Sequence, residues 1–264
     1  MANLCGRSLV AIPILIAIVL FASQISDIRP RSLKWTIIRS MLLVFMYIAI
    51  YAAAPLLPLS MIAASLYTGP IFIALLSAFL IGEPVGRRTW SAVVLGFIGV
   101  LVILRPATDA FSLYMLIPVV AGLFYALAAI ITRTKCIDEK PQILAIMLNL
   151  SILIIGLLAS GVVVLAQPLL RHGITYPFLL GNWIDMRPRE WGVIALLSFL
   201  FVIIGIGLAK AYQSAPPPII ATFDYTYLLF AAWWRFLFFS EIPDLETIIG
   251  MVMIVIAGLL VMKI

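Results

Sequence analysis

Residues 66–88 read LYTGPIFIALLSAFLIGEPVGRR, and residues 224–243 read DYTYLLFAAWWRFLFFSEIP. Laid over each other on Tyr67-Thr68 and Tyr225-Thr226, the two stretches keep step. Phe72 falls on Phe230, Glu83 on Glu241 and Pro84 on Pro243, at an offset of 158 that becomes 159 past the glutamate. Upstream, Pro58 meets Pro216 and Ala63 meets Ala221; downstream, Ser91 meets Gly250 and Gly99 meets Gly258. A spacing kept over this length marks an internal repeat. The turns that close the two stretches differ in charge. The first carries Arg87 and Arg88, whereas the second carries Asp244 and Glu246 and no basic residue. Basic residues gather on the cytoplasmic side of a membrane, so the copies are expected to face opposite ways. Inverted repeats of this kind characterise many secondary transporters, with the substrate site near the midplane between the halves.

Composition makes the membrane setting independent of the repeat. Of 264 residues 65% are hydrophobic and 11% charged, and the mean hydropathy is +1.22. A soluble domain carries about 25% charged residues, so a soluble globule, a disordered chain and a nucleic-acid binder are excluded together. The net charge of +6 then belongs to loops at a membrane surface. Two cysteines, Cys5 and Cys136, make no disulfide framework, and the single His172 argues against a histidine metal site. No metal and no cofactor is expected.

A helix needs about 20 mostly apolar residues to cross the hydrocarbon. Nine such runs stand out, near 9–25, 35–55, 58–82, 89–104, 112–132, 143–167, 191–210, 216–240 and 247–263. The expected fold is therefore an all-α polytopic bundle of nine transmembrane helices, four in a first repeat (1–106) and five in a second (107–264). Arg29, Arg31, Lys34, Arg39, Arg87, Arg88, Arg133, Lys135, Lys140, Lys210 and Lys263 collect on one side of such a bundle; Arg7, Arg105, Arg171, Arg187 and Arg189 collect on the other. Eleven against five places the C-terminus in the cytoplasm.

At this point the residues resemble a known family. Ala54-Pro55 through Ser60, then Tyr67-Thr68-Gly69-Pro70, Gly82-Glu83-Pro84, Gly96 and Gly99, closing at Arg105-Pro106, look like the first repeat of EamA-type carriers of the drug/metabolite transporter superfamily. Ala211-Tyr212, Pro216, Asp224-Tyr225, Glu241-Ile242-Pro243, Gly250 and Gly258 look like the second. The resemblance implies ten helices in two five-helix repeats and transport of small organic molecules across a bacterial inner (plasma) membrane. On that comparison the present sequence opens at the family's second helix. A non-transporting, truncated membrane protein is the alternative this suggests. An intramembrane enzyme would need clustered acids, histidine or a metal site, and the chain offers one histidine and scattered acids.

Few polar residues fall inside the runs. Asp224 is the most informative, because ionisable groups within a span are rare and costly. It is a candidate to bind a cationic substrate group or to exchange a proton; the plainer reading is a wet, structural hydrogen bond near a helix end. Arg235, eleven residues on, reads either as a contact for a substrate anion or as a side chain snorkelling to the headgroups beside Trp233-Trp234. Counted along one helix, the two Cα atoms lie about 16 Å apart. Tyr67 and Tyr225 are the matched tyrosines of the repeat. Asn149 either bonds between helices or faces a cavity. Glu83-Pro84 and Glu241 with Pro243 read as architecture at the span ends. Gly69-Pro70 reads as a mid-span break, and Gly99 and Gly258 as packing positions. The expected partners are a small-molecule substrate and lipid, with no nucleic acid; the sequence leaves a homodimer open.

Overall fold

The computed structural model describes residues 8–17, 29–82, 85–105, 113–166, 188–240 and 242–262. In chain order these form α1 (Ser8–Ala17), α2 (Leu33–Ala53), α3 (Leu59–Leu66), α4 (Gly69–Leu76), α5 (Arg87–Leu104), α6 (Leu116–Lys135), α7 (Pro141–Ala166), α8 (Pro188–Ser214), α9 (Pro217–Asp224), α10 (Thr226–Phe239) and α11 (Leu245–Met262). Every regular element among the described residues is helical, as lipid demands of backbone groups that water cannot reach.

Seven segments of the described residues are long and apolar enough to cross a membrane: Leu33–Ala53, Leu59–Ile81, Arg87–Leu104, Leu113–Lys135, Pro141–Gly161, Glu190–Ser214 and Leu245–Met262. The two remaining runs expected from sequence have a specific fate. The run 216–240 is divided at Tyr225 into α9 and α10, each too short to span alone. The first run is described only over Ser8–Ala17.

Side-chain burial is reversed relative to a soluble protein. The interior is built on small residues, with Ala11, Ala53, Ala74, Ala92, Ala121, Ala126, Ala209, Ala221 and Ala257 fully buried. Large apolar side chains such as Phe79, Tyr227, Phe230, Trp233 and Phe238 point outward. Helices in lipid gain nothing from hiding leucine from another apolar medium, so association rests on close packing of small residues.

The tightest example joins α5 and α11. A Cβ built on Gly99 would stand 2.8 Å from the Gly250 carbonyl oxygen, and one on Gly250 would stand 2.7 Å from the Gly99 carbonyl oxygen. Gly96 faces Ala257, and Gly250 faces Ile103, so the two helices run antiparallel. On the other flank, α2 packs on α6 and α7 through Leu43, Val44, Ala121, Leu148 and Ile152. The short α1 lies against α7 and α8 at Ala145 and Val202.

Repeat-matched positions adopt matched local structure. Pro58 and Pro216 both precede an eight-residue helix in extended backbone, with φ/ψ of −57°/145° and −54°/131°. Pro in front of a helix removes only a donor that has no intrahelical acceptor. α3 and α9 have the same length, and each stops just before its tyrosine, Tyr67 or Tyr225. Gly82 and Ser240, 158 residues apart, both turn left-handed, at φ 74° and 54°. Glycine takes that conformation freely, whereas serine is strained there.

Both ends of the bundle are tied. At one, the Glu139 carboxylate accepts hydrogen bonds from the Arg31 and Ser32 amides and the Ser32 hydroxyl, which joins the start of α2 to the α6–α7 turn. The Gln213 Nε2 donates at 2.7 Å to the carbonyls of both Cys136 and Glu139, adding the end of α8. At the other, Arg105 at the end of α5 pairs with Asp244 and, at 2.6 Å, with Glu246 at the start of α11. Arg39, which the charge count assigned to a cytoplasmic loop, is instead buried in α2; its Nε donates to Thr132 Oγ1 at 2.8 Å and its Nη1 to the Leu144 carbonyl at 3.3 Å. A guanidinium with bonded partners can stay in the bundle, and loop and span are not separable at a helix's first turns from sequence alone.

Candidate functional site

The two broken helices meet α6. The carbonyl of Leu66 and the hydroxyl of Thr68, at the α3–α4 break, lie 3.1 and 3.2 Å from where a Gly122 Cβ would stand. A Cβ on Gly69 would be 3.3 Å from the Tyr125 ring. Glycines on both sides therefore let the break seat directly on α6. Gly69 opens α4 and Pro70 sits in its first turn, so this pair starts a new helix, where the missing N–H of Pro70 costs nothing.

One helical turn along α6 from Gly122, Tyr125 reaches the second break. Its hydroxyl donates to Asp224 Oδ2 at 2.8 Å. The Tyr212 hydroxyl, from α8, donates to the same oxygen at 3.1 Å. The two hydroxyls lie 3.1 Å apart, with their rings edge to face at 6.2 Å between centroids. Three elements thus converge on one carboxylate at the last residue of α9. Tyr212 is buried, and Asp224 and Tyr125 are half-buried. The following residue, Tyr225, is fully buried against Gly96, and its hydroxyl reaches the Val93 carbonyl at 3.4 Å. The Tyr67 ring packs on the Tyr225 ring at 5.9 Å, so the matched tyrosines of the two breaks touch.

Asp224, Tyr225 and Tyr67 therefore share one region, and the structure leaves Asn149 out of their hydrogen-bond network. Asn149 is buried in α7 and donates to its own helix at the Ala145 carbonyl, 2.9 Å away; its Oδ1 has no partner. Arg235 falls on α10, and the break at Tyr225 puts it on a different helix from Asp224. The separation counted along one continuous helix does not apply, and the Arg235 side chain lies outside the described residues. So do Glu83, Pro84 and Glu241. Pro243 lines a cleft of about 330 Å³ at the Arg105–Asp244 end. Gly99 makes the close approach to α11, while Gly258 has looser surroundings, with Phe223 Cε1 at 3.9 Å from a built Cβ. Among the described residues no group of three or more His, Cys, Asp or Glu could hold a metal ion.

Two of the carboxylate's partners were not singled out as site residues from sequence. A tyrosine in an apolar run is ordinary, and nothing in the spacing of Tyr125, Tyr212 and Asp224 shows that three helices converge. The usable signal was Asp224 itself, since a carboxylate in a span needs donors.

Comparison with known proteins agrees with this architecture. The EamA-like transporter family profile matches residues 1–105. The chain is 27% identical over 213 residues to the pseudopaline exporter of Pseudomonas aeruginosa, covering 80% of this chain and 67% of that protein. It is 26% identical to a riboflavin transporter of Vibrio cholerae, covering 88% of this chain and 72% of that one. An S-adenosylmethionine uptake transporter of Rickettsia felis is also 26% identical, with 85% and 70% covered. A solved crystal structure at 15% identity superposes with a TM-score of 0.76, covering 98% of this chain and 85% of its own, and shares the fold. The family match thus covers residues 1–105, and the relatives similar to most of the chain are named transporters of small molecules.

Proposed function

We propose that this chain is a secondary carrier that moves a small organic metabolite across the bacterial inner membrane by alternating access. The observation that carries the reading is the convergence of two broken helices on α6 around a carboxylate held by Tyr125 and Tyr212. Broken helices near the midplane are where transporter sites are built, because irregular backbone is tolerated only inside protein or along a cavity. The relatives' names, an exporter, a riboflavin transporter and an S-adenosylmethionine uptake transporter, support the metabolite class.

In this reading residues 1–106 and 107–264 are two repeats of opposite orientation, with the C-terminus in the cytoplasm. The matched proline entries, tyrosine breaks and left-handed turns support that division. The repeats rock about the α5–α11 contact and expose the Asp224 region to each side in turn. Substrate or ion gradients supply the energy.

Proteoliposomes holding the purified chain, tested with a panel of radiolabelled metabolites with and without a proton gradient, will show carrier-dependent accumulation of at least one compound. Asp224→Asn will lower that uptake by about tenfold or more, the scale expected when a charged hydrogen-bonding partner is lost. Wild-type rates in Asp224→Asn would remove this carboxylate from the mechanism, and no carrier-dependent flux of any compound would remove transport.

A further inference from the structure

Asp224 is unevenly satisfied. Both tyrosine hydroxyls converge on Oδ2. Among the described residues Oδ1 has no hydrogen-bond partner, and Asp224 forms no ion pair. Oδ1 is nevertheless not among the polar atoms sealed without a partner, so it can be reached. Two hydroxyls on one oxygen leave the acceptor capacity of Oδ1 open to a further partner. The described cations near the bundle interior are committed elsewhere. Arg39 is bonded to Thr132 and Leu144, and Arg133 to the Gln213 carbonyl. A carboxylate at this depth with neutral partners alone is costly, and a single positive charge on Oδ1 removes that cost.

The surroundings narrow the kind of cation. Asp224 is the last residue before Tyr225, whose ring packs on Tyr67, and its hydrogen-bond partners are the hydroxyls of Tyr125 and Tyr212, whose rings lie edge to face. Phenol rings and one carboxylate suit a weakly hydrated organic cation, which exchanges little hydration for contact with aromatic groups. A metal ion would need several oxygen ligands, and the described residues offer it no cluster.

We infer that Asp224 seats the positive group of an organic monocation, of the alkylammonium type, on Oδ1, while Tyr125 and Tyr212 position the carboxylate through Oδ2. The inference rests on the carrier reading above and names its substrate class. It sets Asp224 apart from its repeat partner, because position 66, which matches Asp224, is Leu66. The matching position supplies no second acid, so one charge is recognised at this site per turnover.

The test uses the full chain in detergent and two probes of the same shape. Choline carries the charge; 3,3-dimethylbutan-1-ol replaces its nitrogen by carbon. Choline is expected to bind about tenfold or more tightly than the alcohol, read by calorimetry or intrinsic fluorescence, and to bind undiminished when sodium chloride is replaced by an equal concentration of the chloride of a larger inorganic cation. Asp224→Asn is expected to lose that preference and Asp224→Glu to keep it. Equal affinity for the two probes, binding of neither, or a choline preference that survives in Asp224→Asn each overturns the assignment. The wild-type comparison decides the matter even where a variant fails to fold. If choline fails while metabolite uptake still depends on Asp224, the carrier reading stands and the cation class falls. If choline binds through Asp224 but nothing is carried, the reverse holds.

Discussion

Asp224 shows why a single residue can be legible in sequence while its function is not. An acid eight residues into an apolar run signals a special environment, and the structure supplies that environment with two phenols from helices α6 and α8. The phenols themselves are silent in sequence, because a tyrosine in a span has many uses. Arg39 is the converse. It reads as one more cytoplasmic charge, yet it is buried, because the first turns of a helix can lie inside or outside the bundle at the same hydropathy. Asp244 lies outside the membrane-spanning segments and has a plainer logic. The Thr247 side chain and amide, and then Arg105, hold its carboxyl down at about 2. A lowered folded-state value means that this carboxylate contributes stability above its unfolded value of about 3.9 and loses it as pH falls from there toward 2. The thermal midpoints of the parent and Asp244→Asn in detergent should therefore differ by a constant amount from pH 7 to 5 and converge only below about pH 4.

At the level of elements, the sequence match between the stretches 58–99 and 216–258 announces part of the local geometry and not the rest. Prolines announce the entries of α3 and α9, since Pro58 and Pro216 can only precede a helix comfortably. Gly69-Pro70 announces the first break. Nothing comparable announces the second, where Asp224-Tyr225-Thr226 contains neither Gly nor Pro; the run 216–240 therefore reads as one helix. Tyr225 stops it, with the ring buried where Gly96 leaves room. The glycines of the two repeats likewise cannot be ranked by spacing. Gly99 matches Gly258, yet Gly99 meets Gly250. Gly250→Ala should destabilise the protein by about 1–3 kcal/mol, because the added methyl presses on the Gly99 backbone and on Ile103. Gly258→Ala should stay within about 0.5 kcal/mol. Equal unfolding midpoints for the two variants in a detergent denaturation series would refute the tight α5–α11 contact.

The whole molecule was the most legible level, because lipid permits so few solutions. Long apolar runs must become helices, and the runs 35–55, 89–104 and 143–167 correspond to α2, α5 and α7. Which helices would be tied together at their ends was not legible, since those ties join residues 74 or more positions apart. They matter for motion. The Glu139 tie closes the end of the bundle above Cys136, which is fully buried against Trp35, Leu144 and Ala209. Burial pushes the Cys136 thiol up from its ordinary value, so it reacts slowly while that end stays shut. In a Cys5→Ser background, Glu139→Gln should speed maleimide labelling of Cys136 by about fivefold or more, the scale of one charged hydrogen bond. An unchanged labelling rate would show that Glu139 does not hold this end closed.

Asp224 also bears on energetics across the membrane. On the proposed reading the empty carrier holds one negative charge at Asp224, and the loaded carrier holds none. Moving one elementary charge through the full potential is worth about 2.3 kcal/mol per 100 mV. Voltage would therefore act on the return of the empty site and leave the loaded crossing nearly untouched. Because the matching position is Leu66, no second acid there offsets this, and membrane potential would set the turnover rate by way of the unladen half of the cycle.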